Sequence, residues 1–264
     1  MEAMPGAIAL GENQMPEDDT VLIDATGIYY RDLNARLREL VAQGVQRIEI
    51  RNVCGQRYLG TDLRRNVHID VYGTPGNDLG AFMDGPRIVV HGNAQDGCAN
   101  TMNNGEIIVH GHAGDITGFA MRGGKVFVKE DVGYRVGIHM KEYQEKRPSL
   151  VIGGTAQDFL GEYMAGGILV VLGLNLKSGQ FHRANFIGTG MHGGVIYLRG
   201  QVRDYQLGKE VGVLEPSEQD EESLSRLVGE FAGHFGYDAD EILRAPFLKL
   251  VPLHLRPYGR LYAY

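Results

Sequence analysis

The sequence predicts an all-β core, a right-handed parallel β-helix of about seven coils, and three observations favour this fold class. Glycine accounts for 38 of 264 residues, roughly twice its usual share of about 7%. Glycines and methionines of the central region recur with a fixed period of 19 residues. Each repeat contains one short aliphatic run, as a stacked coil with glycine corners requires. The right-handed winding follows from the general handedness of parallel crossovers.

The repeat is visible in two columns of residues. Gly73, Gly92 and Gly111 close successive aliphatic runs, and methionines follow with the same step from Met83. After Met140 the period breaks twice, and the offsets within each unit resume after insertions of five and eight residues. The recurring positions predict structural turn and ladder residues, which are Gly92, Asp96, Met102, Gly111, Asp115, Gly118, Met121, Gly154, Asp158, Gly161 and Met164.

The aliphatic runs also predict which side chains face inward. Residues two apart in a strand point the same way, and the first and third positions of all seven runs are aliphatic. The position between them should point outward, yet it is apolar over five coils. This outward stripe consists of Val89, Ile108, Phe127, Val151 and Val170. An exposed patch of that extent is a candidate interface; the alternative is coverage by the chain's own N-terminal helix or C-terminal tail.

The segments that flank the repeat are suited to covering the open strand edges of a solenoid. In the N-terminal segment, two apolar runs surround an amphipathic helix that begins near Asp32. In the C-terminal segment, one helix follows Ser217, a shorter one begins at Asp238, and an aromatic tail completes the chain. The predicted domains are an N-terminal strand–helix–strand cap (1–50), the glycine-repeat β-helix (51–204) and a helical and aromatic tail (205–264).

Composition restricts the partners that the chain can have. The formal net charge is −7, and without clustered Lys and Arg we expect no nucleic acid partner. No basic N-terminal region precedes an apolar run and no stretch of about 18 apolar residues occurs, so neither secretion nor a membrane is expected. The two cysteines, Cys54 and Cys98, show no metal-site spacing. A cytoplasmic location is therefore expected.

Two groups of polar residues have a possible chemical role. Asp96 and Asp115 lie one coil apart and could share a proton as paired carboxylates do, although aspartate at a glycine corner more often bonds the backbone of its own turn. His91 and His110 also stack, with Lys129 next in the column, which favours solvated histidines at the strand end over a metal site. We therefore assign no catalytic, cofactor-binding or metal-binding residue.

Three repeat units carry a family resemblance: GNAQDGCANTMNNGEIIVHG, GHAGDITGFAMRGGKVFVKE and GGTAQDFLGEYMAGGILVVLG. They resemble the glycine-repeat (GXGXG) domain at the C-terminal end of the glutamate synthase large subunit. They are equally similar to the formylmethanofuran dehydrogenase subunit that shares this domain. The resemblance covers roughly residues 50–200. It implies a right-handed β-helix that supports an amidotransferase domain and a flavin and iron–sulfur synthase domain and carries no catalytic residue of its own.

The chain departs from the large synthase subunit because it has neither the N-terminal nucleophilic cysteine nor the synthase barrel. The resemblance therefore implies a non-catalytic scaffold subunit of a split glutamate synthase-like complex. Glutaminase and flavoprotein synthase subunits would be its partners, FMN and iron–sulfur clusters would reside in them, and a homo-oligomer is possible. One alternative is the glycine-repeat subunit of a formylmethanofuran dehydrogenase-like formyl-transfer complex. Another is a stand-alone carbohydrate-active β-helix enzyme that uses Asp96 and Asp115.

Overall fold

A computed structural model describes residues 20–254, which form one sheet of eleven strands with three α-helices. The order across the sheet is β1-β2-β3-β4-β5-β6-β7-β8-β9-β11-β10. The elements in chain order are β1 (Thr20–Asp24), α1 (Tyr30–Ala42), β2 (Arg47–Cys54), β3 (His68–Thr74), β4 (Asp84–Val90), β5 (Asn104–Val109), β6 (Lys125–Val128), β7 (Ser149–Ile152), β8 (Ala165–Val171), β9 (Gly193–Arg199), β10 (Val211–Leu214), α2 (Glu218–Phe235), α3 (Ala239–Leu243) and β11 (Phe247–Pro252).

The predicted fold class is confirmed as a parallel β-solenoid. Strands β1 to β9 pair in parallel, each with the next strand in the chain. The structure has about six turns, whereas the repeat predicted about seven coils. The seven aliphatic runs are β3 to β9, and seven strands enclose six complete turns between them.

The register of the strands agrees with the predicted columns. Ile69 pairs with Ile88 and Val71 with Val90, and the same two columns continue through every later parallel strand. These side chains are buried in one continuous core that runs along the solenoid axis. Alternation with a period of two residues is what divides each strand into inward and outward positions.

Each coil has a single strand. A hydrogen-bonded corner forms the rest of the coil, and in it every second residue has a left-handed backbone conformation with positive φ. Asp78, Gly80 and Phe82 have φ of 63°, 66° and 59°. The Gly80 N–H donates to the preceding coil, at Leu59 O (2.8 Å), whereas the Phe82 N–H donates to the following coil, at Asn100 O (2.9 Å). The pattern recurs at Ile116, Gly118 and Ala120, at Arg135, Gly137 and His139, and at Phe159, Gly161 and Tyr163.

Additional elements extend the sheet at both ends. At the N-terminal end, α1 begins at Tyr30, two residues before the predicted start, and its apolar face is buried against the first coils. At the C-terminal end, β11 runs antiparallel to β9, and β10 antiparallel to β11. The sequence predicted helices and an aromatic tail in this segment, and both strands were missed because they lie outside the repeat that marks the other strands. Phe247 and Leu250 of β11 are buried. Residues 1–19 and 255–264, which include the end of the aromatic tail, lie outside the described residues.

Candidate functional site

The predicted aspartates join each coil to the next coil. Oδ1 of Asp96 accepts a hydrogen bond from the Asp115 N–H, and Oδ1 of Asp115 accepts one from the Tyr134 N–H, both at 2.9 Å. Asp158 bonds the Asn185 N–H in the same way (2.8 Å). The expectation that these carboxylates bond their own turn is wrong, because residues one repeat apart stack directly and the nearest free amide belongs to the following coil.

Asp96 and Asp115, the candidate catalytic pair of a carbohydrate-active enzyme, therefore have a structural role in joining coils. Among the described residues no hydrogen bond joins the side chains of Asp96 and Asp115 to each other. Each carboxylate instead satisfies a backbone donor that the corner would otherwise leave without a protein partner. Their stacking in adjacent coils is therefore explained by the ladder.

The glycines that close the strands face polar atoms of the preceding coil, with which a larger residue would collide. A Cβ at Gly154 would lie 2.3 Å from Oδ1 of Asp131, and one at Gly111 would lie 2.1 Å from Oδ1 of Asn93. At Gly92 it would lie 2.7 Å from the carbonyl oxygen of Gly73. The glycines that close the strands thus permit close approach between coils.

Gly118 and Gly161 have a different role, at the inward left-handed position of the corner. Their φ values are 74° and 67°. A Cβ at Gly161 would lie 2.5 Å from Cδ1 of Ile196, a core residue of a later strand. Both the backbone conformation and the packing therefore favour glycine, although Ala99 occupies the equivalent position with φ of 61°.

The predicted methionine column fills the interior. Met102, Met121 and Met164 are fully buried. Two of these side chains extend toward the following coil: Cε of Met102 lies 2.5 Å from where a Cβ of Gly124 would be, and Cε of Met164 lies 2.7 Å from the equivalent point at Gly194. An unbranched, adaptable side chain suits this space between coils.

The apolar stripe predicted as a candidate interface lies beneath α2 of the same chain. Phe127 is completely buried, and it packs in one cluster with Leu227 and Phe231 of the helix. A partner protein therefore cannot use the stripe, and the alternative of coverage by the C-terminal segment is the correct one. The apolar face of α2, with residues at i, i+3, i+4 and i+7, provides the complementary surface. The five buried residues are Val89, Ile108, Phe127, Val151 and Val170.

Polar contacts hold both ends of α2 against the sheet. Near its N-terminus, Asp220 accepts a hydrogen bond from the Tyr197 hydroxyl (2.5 Å) and pairs with Nζ of Lys249 (2.6 Å). Burial alone would raise the pKa of Asp220, but the Lys249 ammonium and the Ser217 and Tyr197 hydroxyls hold it well below its usual value. Near the C-terminus, Lys125 of β6 pairs with Glu230 (2.6 Å).

The outward face of β3 and β4, beyond the end of α2, carries a polar cluster around Asp70. The Asp70 side chain is 10% exposed. Its Oδ1 lies 2.9 Å from Nε2 of His91, and its Oδ2 lies 3.0 Å from Nε2 of His68 and 3.3 Å from the Arg47 guanidinium. Three hydrogen-bonding partners thus compensate for the burial of one negative charge.

Aromatic rings connect this cluster to α2. The rings of Tyr72 and His91 stack with centroids 4.3 Å apart, His91 stacks on His110 at 5.4 Å, and Phe235 of α2 contacts His110 edge-on at 5.2 Å. His110 is therefore half-buried, whereas His91 is exposed, as the sequence suggested. The sequence signal that could have revealed the cluster is the pair His68 and Asp70, both outward in β3 and one coil before His91.

The protonation of the cluster follows from its surroundings. Burial is the main reason that the pKa of His68 is lowered. The negative charge of Asp70 raises this pKa, whereas the positive charges of Arg87 and Arg47 lower it further. The Arg87 guanidinium lies 3.4 Å from Nδ1 of His68, which is consistent with a neutral ring that donates its Nε2–H to Asp70. Burial would raise the pKa of Asp70, but the hydrogen bond from His91 and the nearby charges lower it.

Residues 20–254 contain neither a candidate metal centre nor a candidate membrane-spanning helix. Within this range, no group of three or more His, Cys, Asp and Glu side chains is arranged to hold a metal ion. None of the helices in this range is both long and apolar enough to cross a membrane.

Comparison with known proteins assigns the chain to a family. The profile described as GXGXG motif matches residues 41–253, from the end of α1 to the end of β11. The chain belongs to the GXGXG motif family. Its solenoid is thus the type of domain found in the glutamate synthase large subunit.

A relative shows that this arrangement recurs as a whole. The chain is similar to "Uncharacterized protein MJ1350" of Methanocaldococcus jannaschii, with 49% identity over 252 residues. The match covers 92% of this chain and 97% of the relative. The similarity therefore extends over nearly the full length of that protein.

Proposed function

We propose that this chain is a non-catalytic scaffold subunit of a split glutamate synthase-like complex in the cytoplasm. A glutaminase subunit and a flavoprotein synthase subunit are its proposed partners, and FMN and iron–sulfur clusters are proposed to reside in the flavoprotein. The observation that carries the proposal is membership of the GXGXG motif family over residues 41–253.

The geometry supports a structural role for the repeat residues. Asp96 and Asp115 bond backbone amides of the next coil, and the apolar stripe is filled by α2. The M. jannaschii relative is matched over 97% of its length, so that protein holds the GXGXG domain without a long synthase chain.

A partner must bind elsewhere than the buried stripe, and the outward face of β2 and β3 is the first surface to test. Arg51 and Tyr72 are exposed on this face, with the Arg51 guanidinium 5.4 Å from the Tyr72 ring centroid. Arginine and tyrosine are enriched at the centres of protein interfaces.

The experiment is affinity purification of the tagged full-length chain from its native cells, followed by identification of bound proteins and assays for flavin and iron. We expect a flavoprotein and a glutaminase in stoichiometric amounts, with glutamine-dependent glutamate formation by the purified complex. The double variant Arg51→Glu, Tyr72→Ala should lose these partners, whereas Tyr205→Ala, at a residue 69% exposed on another part of the surface, should keep them.

Two results would overturn the proposal. A molybdenum or tungsten protein in place of the flavoprotein would instead support the glycine-repeat subunit of a formylmethanofuran dehydrogenase-like complex, the alternative that shares this domain. Recovery of the chain alone, under conditions that preserve other complexes of the same cells, would remove the scaffold role.

A further inference from the structure

The segment 141–149, which contains the five-residue first insertion of the repeat, forms a small hairpin over the corners of earlier coils. Tyr143 and Lys146 exchange two backbone hydrogen bonds of 3.1 and 3.0 Å. The base of the hairpin is fixed because Oε1 of Glu142 accepts from the Gly167 N–H (3.1 Å) and Arg147 pairs with Glu142 (3.0 Å). Its tip reaches Asp84, at the start of β4, through Nζ of Lys146 (3.3 Å).

A cleft of about 590 Å³ lies between this hairpin and the corners. Its volume is within the range of small-molecule sites, about 300–1,000 Å³. The lining side chains are Asp62, Arg64, Phe82, Asp84, Tyr143 and Lys146, with the Asn103 amide beside Phe82.

The two aromatic rings of the cleft are partly exposed. Phe82 is 49% and Tyr143 is 38% exposed. Phe82 occupies the left-handed corner position that His139 and Tyr163 occupy in later coils. The hydrogen bond from its N–H to Asn100 O stabilises that backbone conformation. Since the ring gains only part of its possible burial, packing alone does not account for a phenylalanine at this position.

The charged side chains of the cleft form two ion pairs that open readily. Asp62 pairs with Arg64 at 3.0 Å, and Asp84 pairs with Lys146 at 3.3 Å. All four side chains are at least 39% exposed. Exposed pairs of this kind contribute roughly 0–1 kcal/mol each, so a ligand can take over either partner at little cost.

These features together define the chemistry of the ligand. Carboxylates can accept hydrogen bonds from an ammonium group, and Arg64 and Lys146 can bind a carboxylate within the same cleft. The two rings can pack against a flat apolar group. We propose that this cleft binds a free α-amino acid with an aromatic side chain. The ammonium group lies toward Asp84, and the carboxylate toward the basic side chains.

The test is calorimetric titration of the full-length chain with L-phenylalanine and L-tyrosine. We expect saturable 1:1 binding with a Kd of about 1 mM or lower, which corresponds to at least about 4 kcal/mol. Phenethylamine lacks the carboxylate and phenylacetate lacks the ammonium group, and each should bind at least tenfold more weakly. L-Alanine, which retains both charges without the ring, should also bind at least tenfold more weakly.

Variants locate the site. Phe82→Ala and Asp84→Asn should each weaken binding at least tenfold, whereas Phe186→Ala, at another half-exposed phenylalanine, should leave it unchanged. Thermal unfolding of each variant verifies that it is folded, and Tyr143→Ala in the hairpin provides a second change if Phe82→Ala fails to fold. Absence of saturable binding would overturn the proposal, as would equal binding of phenylacetate or undiminished binding by folded variants. Because the isolated chain is used, these outcomes do not depend on the proposed complex.

Discussion

At the scale of single residues, a polar side chain of one coil lies opposite a glycine of the next coil. A side-chain oxygen from one coil occupies the space that a Cβ would need in the next coil. Asp96, for example, lies against Gly114 and bonds the following N–H, that of Asp115. The repeat in the sequence therefore records contacts between coils as well as turns within each coil.

Replacement of Gly114 tests this contact. In Gly114→Ala the new Cβ would lie 2.2 Å from Oδ1 and 2.8 Å from the backbone N of Asp96, so we expect a loss of about 1–3 kcal/mol, as is typical of overpacking. The matched control is Gly229→Ala in α2, where nothing lies within 4 Å of the new Cβ. This control should gain about 0.5–1 kcal/mol from helix propensity. Urea unfolding measures both changes, and equal stability of the two variants would contradict the contact.

Replacement of Asp96 distinguishes its structural role from a catalytic one. Asp96→Asn keeps an oxygen that can accept from the Asp115 N–H and should be nearly as stable as the wild type. Asn93 already bonds the His112 N–H in this way (2.9 Å). Asp96→Ala removes this hydrogen bond, which is exposed to solvent, and should cost about 0.5–1.5 kcal/mol, the usual net contribution of one hydrogen bond. Thermal unfolding monitored by circular dichroism measures the difference; an equal loss in both variants would show that the charge, rather than the hydrogen bond, is required.

At the scale of elements, α2 is an integral layer of the structure. Its Phe231 is fully buried and contacts Gly153, where a Cβ would lie 2.6 Å from Cζ of the ring. The helix and the outward stripe thus form a second apolar core, separate from the core inside the solenoid.

Truncation of Phe231 should therefore destabilise the chain strongly. We expect Phe231→Ala to cost about 3–5 kcal/mol, the usual range for a buried phenylalanine, and hydrogen exchange in α2 to accelerate. Phe186→Ala, at a ring that is 50% exposed and stacks on Phe159 with centroids 4.9 Å apart, should cost only about 0.5–1.5 kcal/mol. Chemical denaturation together with hydrogen exchange provides the readout. An unaltered exchange rate in α2 would mean that the helix does not depend on this contact.

The sequence predicted the strands better than the covering layer. Ile88, Val90 and their equivalents repeat every 19 residues, so stacking in register follows from the spacing alone. The position of α2 depends on contacts between residues far apart in the chain, such as Lys125 with Glu230, and no local pattern specifies them. The left-handed residues Phe82 and Tyr163 were missed for a related reason, since hydrogen bonds to adjacent coils stabilise conformations that their own side chains disfavour.

At the scale of the whole molecule, one continuous sheet connects the cap, the solenoid and the C-terminal strands. The sequence predicted domain boundaries near residues 50 and 204. In the structure, one hydrophobic core includes residues from Ile23 to Leu250 and so extends across both positions. The polar cluster around Asp70 lies on this sheet beside the end of α2, so its protonation should influence the stability of the molecule as a whole.

We expect stability to fall as the pH is lowered from 7.5 to 5. Burial, together with the nearby charges of His91, Lys129 and His234, lowers the pKa of His110, and the pKa of His68 is also lowered. Below the ordinary histidine value of about 6.5 the unfolded chain binds more protons than the folded one, so folding becomes less favourable. The lowered pKa of Asp70 acts in the same direction below about pH 4.

The variant His110→Phe isolates one contribution to this pH dependence. A phenylalanine can keep the ring contacts with His91 and Phe235 but cannot take up a proton. Its melting temperature should therefore fall less than that of the wild type between pH 7.5 and 5, measured by differential scanning calorimetry. Identical slopes for the two proteins would assign the pH dependence to other groups.

The reversal of β11 limits the length of the parallel stack. Every coil before it offers its neighbour a parallel strand in the same register, which is the arrangement that would allow one molecule to continue another end to end. After β9 the chain folds back, and the last two strands of the sheet, β11 and β10, run in opposite directions. Because β10 is antiparallel to β11, it runs parallel to β9 again, so strand direction alone does not block further pairing. The edge that a second molecule would meet is nevertheless a single four-residue strand, separated from the last coil by β11, and this disfavours filament growth.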